Sequence, residues 1–222
     1  MSKKQGKGKW VHVIVCVPSL GTWCSDFGKS LVLLFTYFTQ NKVPGAFGQR
    51  LSIISGESSM LSQSRESMAK MALRTEGCTH ILFLDTDMVF PRDLLNRLVA
   101  HKKPVVGCNC TTRVSPIMPV AHDLQGNRIA SIGRTGLEEV QQTGMAVMLI
   151  STDVLKRLRP PLFLMEWVPE YNAYCGEDIY FSAKVQETGE KVYVDHDLSR
   201  EVGHIGTRVC RHEMIESMGE TK

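Results

Sequence analysis

The first half of this chain alternates two patterns of apolar residues, and that alternation limits the folds open to it. Apolar or β-branched segments typical of buried strands lie at 11–17, 51–54, 80–84 and 105–108. Between them, apolar residues recur at helical spacing and the connections are short. Alternating strands and helices with short connections are the pattern of an open, mainly parallel sheet. We therefore predict an α/β fold with a mainly parallel central sheet flanked by helices.

The pattern changes after Thr111, where short strand-like pieces replace the alternation. The predicted pieces are strands at 118–122, 128–132 and 139–141, an apolar run at 145–150, helices at 153–158 and 177–188, and a strand at 191–194. Without an internal repeat or a long linker, 222 residues suit one domain. We divide the chain into a basic tail at 1–10, a nucleotide-sugar-binding half at 11–110, an acceptor-binding half at 111–210 and a C-terminal tail at 211–222.

Composition places the chain among globular proteins, with 43% hydrophobic and 22% charged residues. No segment approaches the ~18 apolar residues that a membrane span needs, and the lysine-rich start lacks the apolar stretch of a secretory leader. The seven cysteines are odd in number and lack C-x-x-C spacing, which favours free, mostly buried thiols in a reducing compartment. We expect a soluble, cytoplasmic protein with no membrane partner, and we favour a monomer.

Asp85-Thr86-Asp87 is the strongest local indication of chemistry, because it directly follows the strand predicted at 80–84. Side chains alternate along an extended chain, so Asp85 and Asp87 project to the same side. Two carboxylates suit Mg or Mn, which keep open positions for water and phosphate oxygens. Ligands of open α/β sheets bind beyond the carboxyl ends of the strands. A polar turn is the alternative, since aspartate is common at strand ends.

Two further motifs follow in the second half of the chain. Gly176-Glu177-Asp178 precedes a predicted helix, where a carboxylate could act as general base on an acceptor hydroxyl or could only cap the helix. His204 lies between two glycines, and imidazole is a good third metal ligand, although a lone histidine is more often structural. Asp195-His196-Asp197 is a second pair of spaced aspartates, which we interpret as structural.

In this order, the motifs resemble those of the GT-A fold glycosyltransferases, in particular the large family-2-like group and its small phage-type members. The resemblance rests on D-T-D after a strand, G-E-D-x-x-F from Gly176, G-x-x-x-x-x-D from Gly189 and G-H-I-G from Gly203. It spans Val13 to Gly206, nearly the whole chain. D-x-D alone is weakly specific, whereas four motifs in this order are strongly specific. The resemblance implies a single GT-A (Rossmann-like) domain that binds a nucleoside diphosphate sugar, with UDP as the expected nucleotide.

The resemblance also assigns roles to individual residues. It implies that Asp87 coordinates the metal directly, that Asp85 contacts the ribose or a metal-bound water, and that His204 completes the coordination. It implies that Asp178 is the catalytic base and that Glu177 contacts the acceptor or the donor sugar. The residues that it places against the donor are Pro18, Ser19, Leu20, Arg65, Asp85, Thr86 and Gly144.

We therefore predict a hexosyltransferase that uses Mn or Mg and moves a sugar from a nucleoside diphosphate sugar to an acceptor hydroxyl, with inversion at the anomeric carbon. A nucleotidyltransferase is disfavoured, because the glycine-rich signature after its first strand is missing and 17–21 contains one glycine. A non-catalytic carbohydrate- or nucleic-acid-binding module on the same fold is disfavoured, because both acidic motifs and His204 occur together.

The net charge is only +3, but the charges are unevenly spread. The stretch 92–134 is basic, 138–190 is mainly acidic, and a basic tail contains Lys3, Lys4, Lys7 and Lys9. This asymmetry is compatible with a polyanionic acceptor, for example hydroxymethylated pyrimidines in phage-type DNA, or with solvated faces only. A saccharide or a surface glycan is the alternative acceptor.

Overall fold

The computed structural model describes residues 9–206 and 209–215. The predicted basic tail therefore lies outside the described residues except for Lys9 and Trp10, and so does the predicted C-terminal tail beyond Ile215. No helix within the two described ranges is long and apolar enough to cross a membrane. As predicted, the structure contains free thiols, at Cys16, Cys24, Cys78, Cys108, Cys110 and Cys175.

The elements alternate along the first half of the chain as expected. The strands are β1 (Lys9–Ser19), β2 (Ala46–Glu57), β3 (His80–Leu84), β4 (Met88–Val89), β5 (Val105–Gly107), β6 (Leu137–Val140), β7 (Val147–Ser151), β8 (Glu166–Val168), β9 (Ala173–Cys175), β10 (Val192–Asp195), β11 (Gly203–Ile205) and β12 (Val209–Cys210). The helices are α1 (Ser25–Gln40), α2 (Leu61–Arg74), α3 (Leu94–Ala100), α4 (Thr152–Leu155), α5 (Glu177–Glu187) and α6 (His196–Glu201). Short 3-10 turns lie at Pro169–Tyr171 and His212–Met214.

A seven-stranded sheet forms the centre of the fold, in the order β2-β1-β3-β7-β5-β10-β6. The strands β1, β2, β3, β5 and β10 run in one direction, whereas β6 and β7 run against them. The mainly parallel α/β sheet predicted from the sequence is therefore confirmed. The apolar run predicted at 145–150 becomes β7, which pairs antiparallel with both β3 and β5, so a strand from the second half of the chain lies inside the sheet of the first.

Both faces of the sheet are buried at its central strands, which explains why β1, β3 and β7 are nearly continuous apolar runs. In β1, Val13, Val15 and Val17 contribute to one core, and Ile14 and Cys16 contribute to the other. Buried side chains of α1, α3 and α6 complete the first core, and those of α2, α4 and α5 complete the second. Because helices cover both faces, polar groups gather at the two edges where strands begin and end.

Two of the predicted strand-like pieces, 118–122 and 128–132, form only isolated bridges. The two pieces bond directly to each other where the amide of Ile129 donates to the carbonyl of Ala121 at 3.0 Å, and the buried side chain of Asn109 adds bonds to both. Its Oδ1 accepts from the amide of Ala121 at 2.9 Å, and its Nδ2 donates to the carbonyl of Ile129 at 2.6 Å. Since a side-chain amide satisfies these buried backbone groups, no regular ladder is required there.

Several short elements were not expected from the sequence, among them β4, the hairpin β8–β9, α6, and β11 with β12. β4 pairs antiparallel with β11, so that Met88 lies opposite His204, and β11 also pairs with β12. Strands of two or three residues are too short to show a periodicity in the sequence. Their pairing nevertheless joins the turn after β3 to the last part of the chain.

The aromatic side chain of Phe181 provides a test of the second core. Phe181 is fully buried and stacks on Phe163 with ring centroids 5.1 Å apart. Phe181→Ala is expected to lower the free energy of unfolding by about 3–5 kcal/mol, because the cavity refills only partly. Urea denaturation followed by circular dichroism measures this loss. Ile179→Ala, on the same helix at a side chain 37% exposed, is the matched control, and an equal loss there would contradict the placement of Phe181.

Candidate active site

The D-T-D motif forms a tight turn at the carboxyl end of β3. The amide of Met88 donates to the carbonyl of Asp85 at 3.2 Å, and the amide of Asp85 donates to the carbonyl of Ala146 at 3.0 Å. On its other side, the amide of Ile205 donates to the carbonyl of Asp87 at 2.7 Å. The turn is therefore held from both sides by backbone groups of the second half of the chain.

The segment that follows β1 lies next to this turn. The amide of Cys24 donates to the carbonyl of Thr86 at 3.3 Å. Within that segment Ser19 is buried, whereas Leu20 is 79% exposed. The structure therefore brings Pro18, Ser19 and Leu20, the predicted nucleotide contacts, to the same edge of the sheet as the D-T-D motif.

His204 contacts Asp87, because the pairing of β4 with β11 places them side by side. Its Nε2 lies 3.2 Å from Oδ2 of Asp87, and its Nδ1 lies 2.7 Å from the carbonyl oxygen of Thr111. Since a carbonyl only accepts, Nδ1 carries a hydrogen, and Nε2 is the nitrogen that faces the carboxylate. A backbone carbonyl that orients the ring in this way is a common support for a metal-binding histidine.

The charges of Asp87 and His204 stabilise each other. Burial by itself lowers the pKa of His204, but the hydrogen bonds to Asp87 and to the Thr111 carbonyl, together with the charge of Asp87, outweigh it, so that the pKa lies above its ordinary value of 6.5. Burial by itself raises the pKa of Asp87, but the hydrogen bond and charge of His204 and the charge of Arg113 hold it below 3.8. Asp87 is therefore ionised at neutral pH, and His204 keeps its proton to a higher pH than a free imidazole does.

Arg113 forms an ion pair with the same carboxylate oxygen of Asp87. Its side chain is 55% exposed, so the guanidinium reaches Asp87 from the solvent side of the turn. In the sequence Arg113 is one of several basic residues in 92–134, and a single loop arginine has no motif that distinguishes it. A guanidinium in this position can neutralise Asp87 or bind a phosphate oxygen.

Arg65 of α2 lies between two carboxylates from opposite halves of the chain. Its Nη2 donates to Oδ1 of Asp85 at 2.8 Å, and its Nη1 pairs with Glu177 at the start of α5. Arg65 is 2% exposed, and Glu177 is also buried. The guanidinium therefore holds both acids, and its Nε is buried without a hydrogen-bond partner in the described parts of the chain.

Asp178 is the more exposed of the two acids at the start of α5. Its Oδ1 accepts from the amide of Ile179 at 2.8 Å. Gly144 lies opposite its other oxygen, since a Cβ at Gly144 would stand 3.8 Å from Oδ2 of Asp178 and 3.0 Å from Val120. The structure therefore brings Gly144 and Asp178 together, and a side chain at residue 144 would crowd the space in front of the carboxylate.

The structure brings two of the three predicted metal ligands into contact. Asp87 and His204 contact each other, whereas Asp85 turns towards Arg65. Within 9–206 and 209–215, no group of three or more His, Cys, Asp or Glu side chains is arranged to hold a metal. A carboxylate beside an imidazole that a carbonyl orients still fits a divalent metal that fills its other positions with water and phosphate oxygens. The role of Asp85 as a ligand stays a prediction.

The second pair of spaced aspartates is structural, as predicted. Asp195 caps α6, because its Oδ1 accepts from the amide of Leu198 at 2.9 Å, and its Oδ2 lies 2.7 Å from Nε2 of His101. Asp197 accepts from the amide of Gly136 at 2.8 Å. Both carboxylates are therefore occupied in holding the chain around α6.

The hairpin β8–β9 carries two exposed aromatic rings immediately before Gly176. Trp167 and Tyr174 meet edge to face, with ring centroids 5.2 Å apart, and are 46% and 67% exposed. Exposed aromatic rings near a candidate base are suited to packing on a sugar.

Comparisons with known proteins bear on the fold. No family model and no curated protein matches this chain. Among solved structures, A197 from STIV aligns with a TM-score of 0.59 and 16% identity, over 96% of this chain and 98% of that one. GalNAc-T7 with UDP, GalNAc and Mn²⁺ aligns with a TM-score of 0.53 and 13% identity, over 96% of this chain and 45% of that one. TarS 1–349 of S. aureus aligns with a TM-score of 0.43 and 14% identity, over 84% of this chain and 58% of that one. This likeness is too distant to support an argument.

These alignments confirm the predicted fold class, because nearly the whole of this chain follows the GT-A-like fold of GalNAc-T7. At such low identities a structural likeness establishes the fold and leaves activity to be argued from the site. The chain also spans less than half of the GalNAc-T7 structure.

The buried charges around Arg65 lead to a prediction about stability. Arg65→Met is expected to lower the free energy of unfolding by about 3–5 kcal/mol, because Asp85 and Glu177 would lose their shared counter-charge. Arg97→Met is the matched control, since Arg97 pairs with the half-exposed Glu201 and such pairs contribute about 1 kcal/mol or less. Urea denaturation at neutral pH measures both variants. Equal losses would show that Arg65 is not the centre of a buried charge network.

Proposed function

We propose that this chain is a glycosyltransferase that moves a sugar from a nucleoside diphosphate sugar, with UDP as the nucleotide, to an acceptor hydroxyl. The observation that carries the proposal is one cluster at the carboxyl edge of a GT-A-like fold. In this cluster Asp87 contacts His204, and Arg65 links Asp85 to Glu177, the residue beside Asp178. The GalNAc-T7 structure, which contains UDP and Mn²⁺, supports the choice of nucleotide and metal.

The donor is proposed to lie along the carboxyl edge between β1 and β3. Pro18, Ser19 and Leu20 would hold the base and ribose, with Thr86 beside them across the backbone hydrogen bond from Cys24. Arg113 would contact the diphosphate, because its guanidinium already reaches the carboxylate around which phosphate oxygens would gather.

Asp87 and His204 are proposed to hold one divalent ion, Mn or Mg. Such an ion would supply positive charge to stabilise the leaving diphosphate. The Thr111 carbonyl keeps the Nε2 side of His204 turned towards Asp87, so the two ligands stay oriented before the ion binds.

Asp178 is proposed as the general base. Its carboxylate takes the proton of the acceptor hydroxyl as that oxygen attacks the anomeric carbon. The bond from this carbon to the diphosphate oxygen breaks, its electron pair leaves with the nucleotide, and the in-line displacement inverts the anomeric configuration. Gly144 leaves space for the sugar in front of Asp178. Glu177 contributes by holding Arg65, and its contact with the sugar or acceptor is part of the proposal.

The acceptor is proposed to be a hydroxymethylated pyrimidine in phage-type DNA, with a saccharide or surface glycan as the alternative. The protein would be incubated with UDP-glucose, Mn and DNA that contains 5-hydroxymethylcytosine, and the DNA digested to nucleosides for mass spectrometry. A hexosyl nucleoside supports the DNA acceptor. Its absence with every UDP-sugar tested would exclude DNA and leave the saccharide class.

The donor and the base are tested together by substitution of Asp178. UDP-sugar with Mn is expected to raise the melting temperature, because a ligand that binds only the native state stabilises it. Asp178→Asn should keep this shift while turnover falls by about 100- to 10,000-fold, the usual contribution of a general base. Glu187→Gln, at the far end of the same helix, is the control that keeps full turnover. Turnover retained in Asp178→Asn would assign the base to another residue.

The metal site is tested by calorimetric titration of Mn into the donor-free protein. Affinity is expected to rise as the pH is raised through the pKa of His204, which lies above 6.5, because the proton on His204 competes with the metal. His204→Ala should weaken binding by about tenfold or more and flatten the pH dependence. Arg113→Gln should strengthen binding, since the guanidinium no longer competes for Asp87. Unchanged affinity in Asp87→Ala would contradict the metal assignment.

A further inference from the structure

A concave surface lies at the edge of the sheet opposite the candidate active site, where the strands begin. A cleft of about 1070 Å³, which we call the amino-edge cleft, is lined by the starts of β1 and β3, the loop before β5, and α4. Because a strand rises roughly 3.3 Å per residue, the five residues of β3 place it roughly 16 Å from the D-T-D turn. The amino-edge cleft is therefore separate from the proposed donor site.

Basic side chains outnumber acidic ones in this cleft by six to three. The basic residues are Lys9, Arg74, Lys102, Lys103, Lys156 and Arg157, and the acidic residues are Glu76, Asp153 and Glu190. Two of the acids are already paired, Asp153 with Lys156 at 3.5 Å and Glu190 with Arg157. Most of the remaining charge in the cleft is therefore positive, and a concave wall focuses it.

Four of the six basic residues have no carboxylate partner among the described residues. Lys9, Arg74 and Lys102 form no ion pair in 9–206 and 209–215, and Lys103 lies over the ring of Tyr193 with its Nζ 4.3 Å from the centroid. Lys102 also has a left-handed backbone, with φ of 54°, which a lysine rarely adopts. Lys102 therefore forms a strained, positively charged turn at the cleft.

Trp10 adds an aromatic surface to the same cleft. Its indole ring is 51% exposed, and it packs on Gly48 of β2, where a Cβ would overlap the ring. The ring is therefore held in place while half of its surface stays open to solvent. Unpaired cations beside a fixed, exposed aromatic ring are the combination that binds single-stranded nucleic acid, with phosphates on the cations and a base on the ring.

We propose that the amino-edge cleft is a binding site for single-stranded nucleic acid. The proposal does not rest on glycosyl transfer, because neither the donor nor the metal takes part in it. A flat membrane surface would reach only the rim of a cleft, so its concave shape favours a flexible strand. The site would keep a nucleic acid on the protein while leaving the carboxyl edge free.

The test is fluorescence anisotropy of a labelled oligothymidylate, titrated with the full chain at several salt concentrations without metal or donor. Lys102→Asn combined with Lys103→Gln removes two charges, and asparagine tolerates the left-handed backbone at residue 102. We expect affinity at low salt to fall by about tenfold. The slope of log affinity against log salt should become shallower by about 1.4, which is two phosphate contacts at about 0.7 each.

The matched control is Lys29→Gln combined with Lys184→Gln, which makes the same change in net charge outside the cleft. Lys29 is an exposed residue of α1, and Lys184 of α5 lies over the ring of Tyr180 as Lys103 lies over Tyr193. This control is expected to bind as the unsubstituted protein does. Equal losses in the two double variants, or no binding by the unsubstituted protein at low salt, would overturn the proposal.

A second experiment distinguishes a nucleic-acid site from a site that binds any anion. Trp10→Leu should weaken oligothymidylate binding but leave binding of inorganic polyphosphate unchanged, because polyphosphate has no base to stack on the ring. Equal binding of oligothymidylate by Trp10→Leu and by the unsubstituted protein would overturn the assignment. Tighter binding to vesicles with anionic headgroups than to the oligonucleotide would also overturn it, in favour of a membrane surface. UDP binding with Mn should be unchanged in all these variants, which keeps the two sites distinct.

Discussion

The buried guanidinium of Arg65 holds together the elements on which the candidate site depends. Arg65 on α2 is almost fully buried, and a buried charge is tolerated only when it is paired. Its partners are Asp85, after β3, and Glu177, at the start of α5. Helix α2, the D-T-D turn and α5 must therefore pack together for the fold to form. The same requirement brings Asp178 to the carboxyl edge of the sheet.

The two-residue strand β4 also joins distant parts of the chain, on the other side of the D-T-D turn. The pairing of β4 with β11 sets His204 beside Asp87, and the Thr111 carbonyl orients its ring. Three charged groups then meet, because Arg113 also reaches Asp87. Imidazole and guanidinium neutralise this carboxylate, which would otherwise stand partly buried and unpaired. The cations around Asp87 thus show how strongly this position attracts positive charge.

The sheet separates two kinds of surface. Its carboxyl edge presents carboxylates that Arg65, Arg113 and His204 hold, and its amino edge presents cations that exceed their partners. Because helices cover both faces, neither edge can exchange a ligand with the other through the core. The proposed donor site and the proposed nucleic-acid site therefore do not compete for the same groups.

Local sequence patterns predicted much of the fold and the positions of the candidate acids along the chain. The strand–helix alternation predicted the α/β sheet, and spacing in β3 and α5 located Asp85, Asp87, Glu177 and Asp178 at element ends. Only the tertiary structure decided which of these acids are engaged by Arg65 and which remain available, and it also placed β7 in the middle of the sheet. The physical reason is distance along the chain: Arg65 and Glu177 are 112 residues apart, so their contact depends on how whole elements pack and leaves no trace in local spacing.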